Sequence, residues 1–204
     1  MARNYFNPEG LVWKPLGKLG DLVMLSLLWG ICSIPLVTVG PATAALYDCT
    51  AHCVRRGEDG LFARFRQTFR AELRTGLCST LLWAAILGAL FLLRALLMRR
   101  LGYAGAGGAA GMATLVVLLV PTGMACWVFP LLSRFTFGFG ALNRTAIRLS
   151  LGNVLRSALM ALLCGAAGAL FARNYFSVFF TPGLVAWLSS YLIEPVFGKY
   201  ADMD

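Results

Sequence analysis

Apolar residues fall in long blocks along this chain, and short basic stretches separate them. The first block, residues 19–38, is long enough to cross a bilayer, because a hydrocarbon core of about 30 Å needs about 20 helical residues. It ends in I-P-L-V-T-V-G-P-A-T-A-A-L, whose Pro and Gly break the pattern before a second apolar segment at 42–54. Irregular backbone at membrane depth is tolerated where protein or water covers it, so a structured corner over 35–41 is expected inside a bundle. Helix one is predicted over about 19–34. At 1.5 Å per residue the second segment is only about 20 Å long, which predicts a short or tilted helix packed against the first.

Residues 61–74 read L-F-A-R-F-R-Q-T-F-R-A-E-L-R. Phe62, Phe65, Phe69 and Leu73 follow the 3-4-4 spacing of one apolar stripe, with Arg66, Arg70 and Arg74 in a parallel row. This is an amphipathic helix suited to the interface plane, continuing into a span over about 76–98. The Gly-rich stretch within 99–111 follows an apolar helix rather than a strand, so it reads as a connector and not as a phosphate cradle. The next span covers about 112–132, with Pro121 and Pro130 as kink sites.

Residues 134–156 resemble the earlier basic segment: Arg144, Arg148 and Arg156 share an i+4 row beside Ile147, Leu151 and Leu155. Spans over about 155–172 and 176–196 follow, the last with Pro182-Gly183 in its first half. Residues 61–132 and 143–196 thus form a weak pseudo-repeat, an Arg-rowed helix feeding a membrane hairpin. Small-residue ladders, Thr80-Ala84-Gly88 and Ser157-Ala161-Gly165-Ala169, would allow close helix approach. The expected fold is an all-α, polytopic transmembrane bundle forming one domain, 1–204. It has about five full spans, one short helix, and interfacial amphipathic helices on the cytoplasmic side.

Composition agrees. The chain is 59% hydrophobic and 13% charged, against about 45–50% and about 25% for soluble domains. Its formal charge of +9 lies between apolar runs, which argues against nucleic acid and for an anionic membrane face. With the amino terminus inside, the outer side holds only Arg94, Arg99, Arg100 and Arg173, and every other basic residue faces inward. Both termini are therefore placed in the cytoplasm. Ala42-Thr43-Ala44 imitates a signal cleavage site, but the preceding apolar run exceeds a signal core of about 7–15 residues, so helix one is retained.

No catalytic constellation is visible, and neither enzymatic activity nor a cofactor is expected. Cys49, His52 and Cys53 imitate ligand spacing, yet a structural zinc wants about four ligands and His52 is the only histidine. Asp48 and His52, four apart, either share a proton or form a hydrogen-bonded pair near a helix end. Asp21 is either an interfacial residue or half of an ion pair with Lys18 or an arginine. The arginine rows suit lipid phosphate or an acidic partner surface.

The stretch at 27–47, L-L-W-G-I-C-S-I-P-L-V-T-V-G-P-A-T-A-A-L-Y, closely resembles the signature of the YesL-like bacterial membrane proteins, a domain family of unknown function. F-P-L-L-S-R-F at 129–135, P-G-L-V-A-W-L-S-S and V-F-G-K-Y are similar in a weaker way. The matched positions are Pro35, Thr38, Gly40, Pro41, Ala42 and Leu46, where Gly40 and Pro41 would permit a tight reversal and a helix start. The resemblance implies a multi-pass protein of the bacterial cytoplasmic membrane, accessory to carbohydrate ABC import, with permease subunits as partners. The alternative is a self-contained small transporter or channel, since interrupted helices often line substrate sites.

Overall fold

The computed structural model describes residues 13–102, 106–135 and 138–201. Among them are eight α-helices and no strand: α1 Trp13–Cys32, α2 Val39–Cys49, α3 Leu61–Ala71, α4 Leu73–Leu101, α5 Ala106–Arg134, α6 Phe139–Gly152, α7 Val154–Arg173 and α8 Thr181–Ala201. The predicted corner is a 3₁₀ turn, Leu36–Thr38, and a π-helical turn, Thr50–Arg55, prolongs α2.

Helix α2 is the centre of the bundle. It packs on α1, α3, α4, α5 and α8, and from Gly40 to Cys49 only Thr43 is not buried. A helix that is apolar on all sides belongs in such a place, and Ala42, Ala44 and Ala45 let its neighbours come close. The tightest approach is to α4. A Cβ on Gly40 would strike Thr80 Oγ1, and would lie 2.7 Å from the Phe129 ring and 2.9 Å from Gly76 O. A Cβ on Gly76 would lie 2.8 Å from Pro41 Cγ. The reversal expected at Gly40-Pro41 is therefore also a helix crossing that excludes side chains.

Helices α4 and α5, 29 residues each, form an antiparallel hairpin, tied near its turn where Arg94 Nη1 donates to Gly111 O at 3.3 Å. Because α3 leads into α4 and α6 follows α5, both short helices lie at the opposite end of that hairpin. The glycines expected to form a connector are largely helical, since α5 already begins at Ala106; residues 103–105 lie outside the described residues.

Three helical stretches, α4, residues 108–134 of α5, and α7, are long and apolar enough to cross a membrane. The most apolar window of α4 is only 11% buried, and its outward residues include Phe91, Leu92 and Leu93. Soluble monomers rarely expose so continuous an apolar surface. Neither α1 nor α8, the latter with Ser189, Ser190, Glu194 and Pro195, is among the three, so the structure supports three candidate spans where the sequence predicted about five.

Two further expectations change. Pro182-Gly183 opens α8 instead of interrupting it. Gly183 is needed there because a Cβ would lie 2.6 Å from Leu22 O of α1, and its N–H donates to Ser26 Oγ at 3.0 Å. The small-residue ladders are used only at their first rungs. Thr80, Ser157 and Ala161 are buried, whereas a Cβ on Gly88 or Gly165 would meet no other helix within 4 Å among the described residues.

Candidate functional site

Polar chemistry gathers around the second half of α2. The loop into α3 turns through Gly57 and Gly60, at φ of 76° and 89°, values that favour glycine. It brings α3 alongside α2 with Leu61, Arg64, Phe65, Thr68 and Phe69 inward or half-buried. Arg64 Nε donates to Asp48 Oδ2 at 2.8 Å, and Thr68 Oγ1 donates to the same oxygen at 2.9 Å. His52 Nδ1 lies 3.0 Å from Asp48 Oδ1, and Arg64 Nη1 reaches Glu58 Oε2 at 2.8 Å. The Asp48 side chain is only 6% exposed, so these donors stand in for the water its oxygens lose on burial. In turn, the hydrogen bond to Asp48 raises the Arg64 pKa above its ordinary value.

The anticipated Asp48–His52 pair thus exists, but Arg64 dominates it. Arg64 does not stand out in the sequence when the apolar stripe is drawn along Phe62, Phe65, Phe69 and Leu73. Phe62 is 57% exposed, and the inward face is rotated toward Leu61, Phe65 and Thr68. The available signal was Leu61 with Phe65, and Arg64 with Thr68, as i,i+4 pairs on one side of the helix.

A second cluster lies where the π-helical turn meets α8 and the end of α5. Arg55 Nη1 donates to Ser190 O at 3.0 Å, and its guanidinium stands 4.4 Å from the centre of the Tyr191 ring. Arg134 donates to Glu194 Oε1, and Arg56 Nη2 lies 3.8 Å from Glu194 Oε2. Two guanidinium groups therefore share the Glu194 carboxylate, and a third, Arg55, is held beside it by Ser190 and Tyr191.

Between α1, α2, α5, α7 and α8 is a cavity of about 340 Å³. Leu46, Leu87, Phe129, Met160, Leu163 and Phe171 are among its walls. Its hydroxyls are mostly occupied by the backbone: Thr43 Oγ1 donates to Val39 O at 2.6 Å, Thr122 to Leu118 O at 2.8 Å, and Ser189 to Ala186 O at 2.9 Å. Cys126 and Cys164, also in the wall, place their sulfurs 3.3 Å apart. Tyr47 lines the cavity too, and its buried hydroxyl has no hydrogen-bond partner among the described residues.

The signature positions are structural in this setting. Pro35 is exposed; Thr38 Oγ1 donates to Cys32 O at 2.5 Å and Pro35 O at 2.6 Å, pinning the corner. Gly40 and Pro41 form the crossing with α4, Ala42 is fully buried, and only Leu46 reaches the cavity. Asp21 is half-buried and forms no ion pair among the described residues. Arg66, Arg70, Arg74, Arg144 and Arg148 are exposed and Arg156 is half-buried. On α6 Ile147 and Leu151 face outward beside Arg144 and Arg148, while Leu142, Asn143, Ala146, Leu149 and Ser150 face the bundle; Leu155, the third residue of the expected row, is exposed at the start of α7.

Two long-range bonds escaped sequence reasoning. Trp83 Nε1 donates to Asn143 Oδ1 at 2.9 Å, fixing α6 to α4, and Trp127 Nε1 donates to Ser157 Oγ at 2.8 Å, fixing α7 to α5.

Neither the curated proteins nor the solved structures include a match to the chain. The family described as "Protein of unknown function, DUF624", which is YesL-like, matches residues 22–92, the stretch running from α1 through the corner and α2 into α4.

Proposed function

We propose that the chain is a non-enzymatic integral membrane protein that serves as an accessory or regulatory subunit, docking onto a transporter permease through α3 and α6. The carrying observation is the shape of those two helices. Each has one face held in the bundle, while Arg66, Arg70, Arg144 and Arg148 stand exposed and form no ion pair within 4 Å among the described residues. The carboxylates Asp48, Glu58 and Glu194 are engaged with Arg64, Arg56 and Arg134 instead. An exposed basic surface bordered by Ile147 and Leu151 suits an acidic partner face at the membrane boundary. In this reading the surface faces the cytoplasm, where positive-inside topology puts it, and the YesL-like resemblance points to carbohydrate import.

The cavity supports an accessory role over a self-contained sugar carrier. A sugar entering it would lose water at many hydroxyls and meet walls whose own hydroxyls, Tyr47 excepted, are already bonded to the backbone, and each unpaired group costs about 1–3 kcal/mol. Photocrosslinkers placed at positions 66 and 148 in native membranes test the proposal. Adducts with a permease subunit of a carbohydrate importer are expected, and adducts with lipid alone would refute docking.

A further inference from the structure

The cavity and the arginine cluster adjoin, and together they have the form of an amphiphile site. Ser189 lines the cavity, and its neighbour Ser190 receives the Arg55 hydrogen bond. Pro130 lines it too, and Arg134 follows one helical turn later, about 6 Å along α5. Tyr47, at 2% exposure, belongs to the wall and lies within electrostatic reach of Arg55, Arg134 and Glu194. The positive charges therefore stand at one end of an otherwise apolar chamber. Glu194 neutralises one of the three, leaving a surplus of two positive charges among Arg55, Arg56 and Arg134.

We propose that this cavity holds one acyl chain of an anionic phospholipid, with the phosphate seated at Arg55 and Arg134 and the Tyr47 hydroxyl at the boundary between chain and headgroup. The volume lies within the range of about 300–1,000 Å³ of pockets that enclose small ligands. An apolar chain makes no hydrogen-bond demand on walls that have almost none to offer, and it keeps the space filled. The phosphate supplies the anion that the cluster lacks. Guanidinium groups suit phosphate because their planar N–H donors pair with two oxygens at once. The buried Tyr47 hydroxyl, unpartnered among the described residues, gains a partner in a glycerol ester or phosphate oxygen.

This site differs from the exposed arginines of α3 and α6, which would attract anionic lipid loosely and exchange it. The full chain, reconstituted in discs of equal phosphatidylglycerol and phosphatidylcholine and gently extracted, is to be weighed by native mass spectrometry. One retained phosphatidylglycerol per chain is expected, preferred about tenfold over phosphatidylcholine, whose phosphate is the same but whose choline cation would meet the surplus positive charge. Ala167→Phe and Gly168→Phe, which fill the cavity from α7, should each abolish retention while elution and thermal midpoint report an intact fold. Arg55→Gln should bring the two lipids to near parity. Arg66→Gln combined with Arg148→Gln should leave the retained lipid in place. Retention unchanged in either folded cavity-filled variant would overturn the proposal. So would equal retention of both lipids by the parent chain, loss of the lipid on removing Arg66 and Arg148, or a free fatty acid as the retained species.

Discussion

Replacing Gly40 by alanine tests whether α2 and α4 cross where the structure puts them. The added methyl would lie against three groups, of which one can yield freely. Thr80 can rotate, giving up its hydrogen bond to Gly76 O at 2.7 Å. The Phe129 ring, 2.7 Å away, can tilt only against a half-buried setting. Gly76 O, at 2.9 Å, is backbone and moves only if the helices part. Overpacking of this kind costs about 1–3 kcal/mol, and the better helix propensity of alanine returns less than about 1 kcal/mol. A net loss of about 2 kcal/mol is expected. At about 2–4 °C per kcal/mol for a chain of this size, the midpoint of thermal unfolding should fall by about 4–8 °C. Tryptophan fluorescence in detergent reads it, because Trp83 and Trp127 are buried. The control is Gly88→Ala, on the same helix as Gly76 but with nothing within 4 Å of the new methyl; it should melt at or above the parent temperature. Equal midpoints for the two variants would refute the crossing.

Removing either partner of the Arg64–Asp48 pair, by Arg64→Gln or Asp48→Asn, should destabilise the protein by about 2–4 kcal/mol, toward the lower end because Arg64 is one-third exposed. In a double-mutant cycle by thermal unfolding the two losses should be strongly non-additive, and simple addition would show that the pair does not form. Asn143→Ala should cost about 1–3 kcal/mol by leaving the buried Trp83 N–H without an acceptor. Trp83→Phe on top of it should add little beyond the lost ring volume, and a full additive penalty would count against the bond. Burial raises the pKa of the Glu72 carboxyl at the α3–α4 junction. A carboxyl with a raised folded-state pKa binds its proton more tightly in the native state, so stability falls as pH rises from the ordinary carboxylate value through the raised one. Melts between about pH 4 and pH 7 should show that slope in the parent chain and its loss in Glu72→Gln.

The helical course of the chain was readable from its residues because the cue is local. An apolar block of given length makes a span of given length, and Pro35, Gly40 and Pro41 stop one helix and start the next within a few positions. The break between α3 and α4 was less visible: the chain bends at Glu72, at φ −96° and ψ 9°, with no Pro or Gly to mark it. The face each amphipathic helix turns inward was the weakest inference. Neighbouring stripes on a helix lie about 40° apart and share residues, so on α3 a choice between Phe62 and Leu61 as the edge decided whether Arg64 pointed out or in. On α6 the sequence showed only the row of Ile147 and Leu151, which stands exposed, and gave no sign that Leu142, Ala146 and Leu149 form the buried face.

Lipid as the surrounding medium, the order of the helices and the tight corner before α2 follow from the order of residues alone, because bilayer thickness and backbone sterics act on contiguous stretches. The enclosure of α2, the capture of Asp48 by Arg64, the meeting of Arg134 with Glu194 60 residues away and the cavity above them were decided only in three dimensions. Each depends on which residues of separate helices arrive at the same depth and face, and helix packing sets that after the helices themselves exist.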